Sequence, residues 1–282
     1  MPKRTSVRNE FDSALHLRAI ERRDEQAWPD NFPYSLPFMQ SFARLDFQAP
    51  ITFLVGENGS GKSTFLELLA CAIGSITVGS KPVRSDPTLA ALVHAADRFR
   101  LVWSKRTHYG FFMRAEDFFG YAKWIDSLNA ELAQDLVETR DAYSNRSIQA
   151  QQFAELPYQH ELSEIRHDYG DGLDSNSHGE GFLKLFQRRF SGPGLYLLDE
   201  PEAPLSPTRQ LTLLAMLNAM VKRGGQFVIA THSPILMAFP GAQLLGFDGG
   251  RIHEEAYDQI EQVAVMRSFL DDPQQYLHYL ME

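Results

Sequence analysis

Eight consecutive residues, Gly56-Glu57-Asn58-Gly59-Ser60-Gly61-Lys62-Ser63, set three glycines, a lysine and a hydroxyl in the spacing G-x-x-x-x-G-K-S. Glycines so placed let successive backbone N–H groups curl around an anion, and a helix starting near Lys62 adds the positive end of its dipole. Phosphate oxygens are what such a cradle takes. Gly56, Glu57, Asn58, Gly59, Ser60 and Gly61 then supply backbone, and Lys62 reaches the β and γ phosphates of a nucleoside triphosphate. Ser63 offers its hydroxyl to Mg²⁺, a cation that prefers oxygen ligands, and Thr64 donates near the α phosphate. A second segment, Leu195-Tyr196-Leu197-Leu198, runs into Asp199-Glu200. Charge at the end of a buried strand is costly unless a cation or polar ligand waits there, and that edge is where α/β sheets bind ligands. Asp199 suits Mg²⁺ through a water, and Glu200 is placed to orient or deprotonate the water that attacks a phosphoryl group. Standing alone, an acidic strand end is as readily a helix cap; the glycine loop gives it catalytic meaning.

These strand ends can cooperate only from one edge of one sheet. Ile51–Val55 reads as a buried parallel strand and Lys62–Ile73 as a helix on the sheet. Before them, residues 14–20 read as an edge strand and 29–37 as turn or extended chain. Phe99–Trp103 and Tyr109–Arg114 read as strands joined by a turn at Lys105–His108. From Glu116 to Arg140 the pattern is helical, with Phe119, Ile125, Leu128, Leu132 and Leu136 near one stripe, and a polar irregular stretch follows to Ser177. The last third alternates: strand Leu195–Leu198, helix Pro207–Lys222, strands Gln226–Ala230 and Leu244–Phe247, helix Pro273–Leu280. This predicts an α/β fold, a mainly parallel sheet with flanking helices and a helical insertion. The divisions are 1–115 and 176–282 for the two parts of the core and 116–175 for the insertion.

The bulk numbers narrow the partners. At 282 residues, 44% hydrophobic and 22% charged, the chain can bury a sizeable core. A net charge of −9 leaves no overall basic field for nucleic acid or anionic membrane, so any DNA contact needs a local patch. The basic residues Lys3, Arg4, Arg8, Arg18, Arg22 and Arg23 offer one candidate for such a patch, with a solvated tail the favoured expectation. The single cysteine, Cys71, lies among apolar residues as a buried hydrophobe, which suits a reducing cytoplasm. No apolar run approaches the roughly 20 residues of a membrane span, so a soluble protein that meets a membrane only through a partner is expected. His160, Glu161, Glu164, His167 and Asp168 lack tight ligand spacing and read as a solvated helix face.

With the loop and the acids in place, the chain resembles the ABC ATPase superfamily, and further motifs follow in the family's order. Ser177-His178-Gly179-Glu180 resembles the signature S-G-G-Q, with His178 and Glu180 as departures; Pro201–Pro207 stands at the D-loop, and Thr231-His232-Ser233 matches the switch histidine. The resemblance implies a P-loop NTPase that binds ATP with Mg²⁺ and hydrolyses it as a nucleotide-sandwiched homodimer. Ser177 and the Gly179 backbone would touch the γ phosphate held by the other subunit, and His232 would sense that phosphate and help hold the attacking water. Glu116 stands in for the missing Q-loop glutamine near the metal. Asp199-Glu200-Pro201-Glu202 with Thr231-His232-Ser233-Pro234 is more like the RecF, RecN, SMC and OLD-type ATPases of DNA repair and phage defence, in the form of a stand-alone bacterial AAA/ABC ATPase. Between Ser63 and Ser177 there is no room for long coiled-coil arms, and the residues after Phe247 are too few for a fused nuclease. The expectation is an ATPase that signals to an unknown protein partner, DNA-linked or defensive, and does not itself cut DNA. The alternatives are the energising subunit of a membrane transporter and an ATP-gated scaffold with little turnover. For the adenine base, Tyr34 is either a stacking platform or a packed aromatic.

Overall fold

Strands with almost no polar position cannot show a face to water. The computed structural model of the protein describes residues 15–281 apart from 25, 80, 170–177 and 191, and it covers these strands on both sides. The chain runs through β1 (Leu17–Arg22), α1 (Pro37–Ser41), β2 (Arg44–Asp46), β3 (Ile51–Val55), α2 (Lys62–Ile73), α3 (Ala90–Ala96), β4 (Phe99–Trp103) and β5 (Phe112–Arg114). A helical hairpin follows, α4 (Ala115–Tyr143) and α5 (Ile148–Tyr169), then α6 (His178–Arg189) and β6 (Leu195–Asp199). The last third holds α7 (Pro207–Lys222), β7 (Gln226–Ala230), α8 (Pro234–Met237), β8 (Gln243–Asp248), β9 (Arg251–Glu254), α9 (Glu261–Asp271) and α10 (Pro273–Met281).

Six strands make the main sheet in the order β5-β6-β7-β3-β8-β9. All neighbours are parallel except β8 and β9. Alternate residues go to opposite faces: Ile51, Phe53, Tyr196, Leu198, Phe227 and Ile229 join one core cluster with α6 and α7. Leu54, Leu195, Leu197, Val228 and Ala230 join the other, with α2 and its fully buried Cys71. Burial pushes the Cys71 thiol up to about 11.

A smaller antiparallel sheet, β2-β1-β4, lies apart from the main one. Here two expectations are corrected. The first strand is central, not an edge, pairing with β2 and β4 on its two sides. It also takes Arg18 and Arg22 out of the expected tail, with Arg23 just after it: Arg22 stacks over the Trp28 ring at 3.9 Å, and Arg23 Nε donates to the Phe99 carbonyl at 2.8 Å, while Lys3, Arg4 and Arg8 lie outside the described residues. The strands around Lys105–His108 do not pair with each other, since β4 belongs to the small sheet and β5 to the main one. Gly110 explains the crossing. At φ +121° it lets the chain run so close to β6 that a Cβ would stand 1.8 Å from the Leu195 carbonyl oxygen, while the Tyr109 carbonyl accepts from Leu195 N at 3.0 Å.

The stretch read as irregular up to Ser177 is helical through α5, up to Tyr169. Its Pro157 and polar composition hide it, because only its end near α6 buries apolar residues, Leu162 and Ile165. On α4, Ile125 and Leu132 are buried and Leu128 and Leu136 pack half-buried against the same cluster, while the Phe119 side chain lies outside the described set. β9 and α9 have no counterpart among the expected elements.

Gly110→Ala should cost about 2–4 kcal/mol, combining left-handed strain with a backbone clash. Urea denaturation of the purified protein checks this, and the loss should appear as a lower midpoint at unchanged slope.

Candidate active site

The strand order β6-β7-β3 brings the ends of three strands to one edge, so the segments that follow them share a single pocket. The loop after β3 turns at Gly56, Gly59 and Gly61, all with positive φ. Gly61 also has no space for a side chain, since a Cβ would lie 2.5 Å from the Phe38 ring. Lys62 is only 5% exposed, and its Nζ donates to the carbonyls of Gly56 at 2.8 Å and Glu57 at 2.7 Å. The ammonium is thus held inside the loop's own curl. Burial lowers its pKa, and the carboxylates of Glu200, Asp199 and Glu202 pull the other way. Thr64 lies half-buried on the next residue but one of α2.

Ser63 Oγ donates to Asp199 Oδ1 at 3.0 Å, joining the two expected metal ligands. Asp199 is 8% exposed, and burial pushes its carboxyl up to about 7 against the pull of the Ser63 hydrogen bond. A hydroxyl and a desolvated carboxylate, both hard oxygen donors in contact, fit a magnesium ion, and the carboxylate gains most from one.

Glu200 has φ 48°, the one positive value outside glycine among the described residues. That left-handed turn lifts the acid out of the strand line, where its carboxylate is half exposed and its Oε1 stands 3.8 Å from His232 Nε2. His232 is fixed from two sides. Its backbone N–H donates to Glu202 Oε1 at 2.6 Å, and its Nδ1 lies 3.4 Å from Gln262 Nε2. Burial, with the nearby Lys62 charge, lowers its pKa. Glu202 in turn is raised by burial, held by hydrogen bonds from the Thr231 side chain and the His232 backbone.

The structure therefore gathers Lys62, Ser63, Asp199, Glu200 and His232 into one group. Glu116 stands apart from it. Its side chain is 78% exposed and turns to Arg114 at 3.8 Å. Beside Asp199 stands Arg114 itself, its register partner on β5, and the Arg114 Nη2 contacts Glu67 Oε1 at 2.7 Å. Glu67 follows Ser63 by one helical turn, a signal the sequence did carry. Ser177 lies outside the described residues, as does the His178 side chain. Gly179 is buried in α6 against Pro204 and Arg209, where a Cβ would meet the Pro204 carbonyl oxygen at 2.8 Å. Tyr34 is a packed aromatic: it stacks on Trp28 at 5.0 Å and is 9% exposed. Two clefts flank the loop. One of about 780 Å³ is lined by Glu57, Asn58, His232 and Gln262, and one of about 380 Å³ by Phe38, Ser60, Phe247 and Arg251.

Residues 74–238, more than half of the chain, match the family described as "AAA domain, putative AbiEii toxin, Type IV TA system". The chain belongs to this family. The match of this AAA-domain protein begins after the glycine loop, and the loop, the acids and His232 give the chain the motifs of an ABC-type P-loop ATPase domain. It is 24% identical over 248 residues to the energy-coupling factor transporter ATP-binding protein EcfA2 of Methanospirillum hungatei, covering 82% of this chain and 56% of that protein. This chain thus spans little more than half of that relative's length. To the hemin import ATP-binding protein HmuV of Rhodopseudomonas palustris it is 24% identical over 235 residues, 78% of each chain. The SMC head domain of Pyrococcus furiosus, solved with the C-terminal domain of ScpA, superposes with a TM-score of 0.48 at 12% identity, covering 90% of this chain and 99% of that one.

Two outcomes test the site. Between about pH 4, where a free aspartate ionises, and about pH 7, the folded AAA-domain protein holds a proton on Asp199 that the unfolded chain has lost. Stability should therefore fall as pH rises through that window, and Asp199→Asn should flatten the slope in denaturation curves taken without divalent cations. Glu200→Gly relieves about 1–2 kcal/mol of left-handed strain while adding roughly 0.5–1 kcal/mol of chain entropy to the unfolded state. Its urea midpoint should be no lower than that of the parent protein.

Proposed function

We propose that the protein binds ATP with Mg²⁺ at the 56–64 loop and hydrolyses it, working as an ATP-sandwiched homodimer. The observation that carries the reading is the strained, half-exposed Glu200 carboxylate set 3.8 Å from His232 at the mouth of the lysine loop. A metal there, held by Ser63 and Asp199, would neutralise phosphate charge when bound. Lys62 exchanges its loop carbonyls for phosphate oxygens, and the loop amides fix the chain of phosphates. Glu200 takes the proton of a water whose oxygen bonds to the terminal phosphorus as the bond to the bridging oxygen breaks. His232 holds the transferred phosphate in line.

Dimerisation is supported by Gly179. It stands at the family's signature position, which by resemblance touches nucleotide held by a second subunit, and it packs in α6 against Pro204 and Arg209. The hairpin supports a protein partner, since Ile148 and Phe153 are 73% and 74% exposed near its outer end. The Asp199-Glu200-Pro201-Glu202 and Thr231-His232-Ser233-Pro234 motifs favour a partner in DNA repair or phage defence. A second reading, the ATP-binding subunit of a membrane transporter, is favoured by the names of the relatives at 24% identity. No helix among the described residues is long and apolar enough to cross a membrane.

Steady-state turnover of the purified protein, with and without double-stranded, single-stranded and broken-end DNA, tests the proposal. Glu200→Gln should lose at least about 100-fold in turnover, keep ATP binding, and form a dimer with ATP in light scattering. Full turnover in that variant removes Glu200 from its role, and a monomer under ATP removes the sandwich. Stimulation by DNA that fades with salt supports the repair and defence reading; recovery with an integral membrane protein supports the transporter.

A further inference from the structure

The chain after β9 carries none of the recognised motifs, yet it enters the site. Ile260 and Val263 anchor α9 in the core, 2% and 3% exposed. Between them, Gln262 reaches the gap separating the loop from the switch histidine. Its Nε2 lies 2.8 Å from the Gly56 carbonyl oxygen and 3.4 Å from His232 Nδ1. Its Oε1 is buried with no hydrogen-bond partner among the described residues.

The roles follow from donor and acceptor chemistry. A carbonyl oxygen only accepts, so the Gln262 atom beside Gly56 is its NH₂ end. That nitrogen accepts nothing, so its second hydrogen faces a ring nitrogen that must itself be bare. A neutral imidazole with a bare Nδ1 carries its proton on Nε2, and Nε2 is the atom 3.8 Å from Glu200 Oε1. We propose that Gln262 is a positioning residue that fixes His232 as its Nε2–H tautomer, so that a proton donor and not a lone pair faces Glu200 and the phosphate site. The unpartnered Oε1 argues that packing is not the reason for this residue, since leucine fills a similar volume without burying an unpaired oxygen. The catalytic consequence rests on the hydrolysis reading; the tautomer is a property of the chain without nucleotide.

Long-range ¹H–¹⁵N spectra of the full chain with ¹⁵N-histidine, His232 being assigned by its loss in His232→Gln, read the tautomer directly. The parent protein should show His232 protonated on Nε2. Gln262→Leu should give a mixture, and Gln262→Glu, whose carboxylate accepts from Nδ1–H, should reverse it. In turnover, Gln262→Leu should lower kcat roughly fivefold, the size of one neutral hydrogen bond, with KM for ATP nearly unchanged. A parent ring protonated on Nδ1, or a folded Gln262→Leu protein whose ring stays on Nε2, overturns the inference. If Gln262→Leu does not fold, the parent and Gln262→Glu spectra decide. Spectra as expected in a protein that never turns over ATP would uphold the tautomer and sink the hydrolysis reading.

Discussion

A carboxylate taken out of water at the end of an apolar strand needs a partner that the protein does not fully supply. Asp199 has the Ser63 hydroxyl at 3.0 Å and little else in direct contact, and the residual cost shows as a carboxyl raised to about 7. The surrounding architecture keeps that cost from being relieved by water. β6 is flanked by β5 and β7 and covered by clusters on both faces. Arg114, the nearest cation on the neighbouring strand, is already committed to Glu67. The site is thus left short of one positive charge, which is the electrostatic condition for holding a cation bound to phosphate.

Strand order turns that local cost into a site. Placing β7 between β6 and β3 sets His232 between the acids and the loop. From there Glu202 holds its backbone and Gln262 its ring. The left-handed Glu200 swings the second acid toward the same ring. Each contact comes from a different element, so the geometry depends on the whole sheet and on α9 together.

The residues of the site were more legible in the sequence than the path between them. The loop, Asp199-Glu200 and His232 announce themselves because phosphate and metal chemistry restrict residue type and spacing at once. The elements Ile51–Val55, Lys62–Ile73, Pro207–Lys222 and Gln226–Ala230 stand with the boundaries read from the sequence, being apolar strands or capped helices with clear ends. What failed was governed by long-range contact. The split of β4 and β5 between two sheets depends on Gly110 meeting Leu195, far away in the chain. α5 has too few buried positions to show a stripe, and Gln262 is one polar residue on a helix with nothing in its neighbourhood to mark it. Arg114 beside Asp199 carries no motif of its own, while the family pattern points to Glu116.

The placement of Cys71 gives the protein a built-in clock. The chain's one thiol is fully buried in the helix that begins at the phosphate lysine, and its pKa is about 11. Only the thiolate reacts, so in the closed protein alkylation is suppressed twice, by access and by ionisation. Each modified molecule therefore records one opening of the helix that carries Lys62 and Ser63. Slowing of that reaction by nucleotide would measure, in free energy, how firmly the phosphates hold the loop and its helix shut.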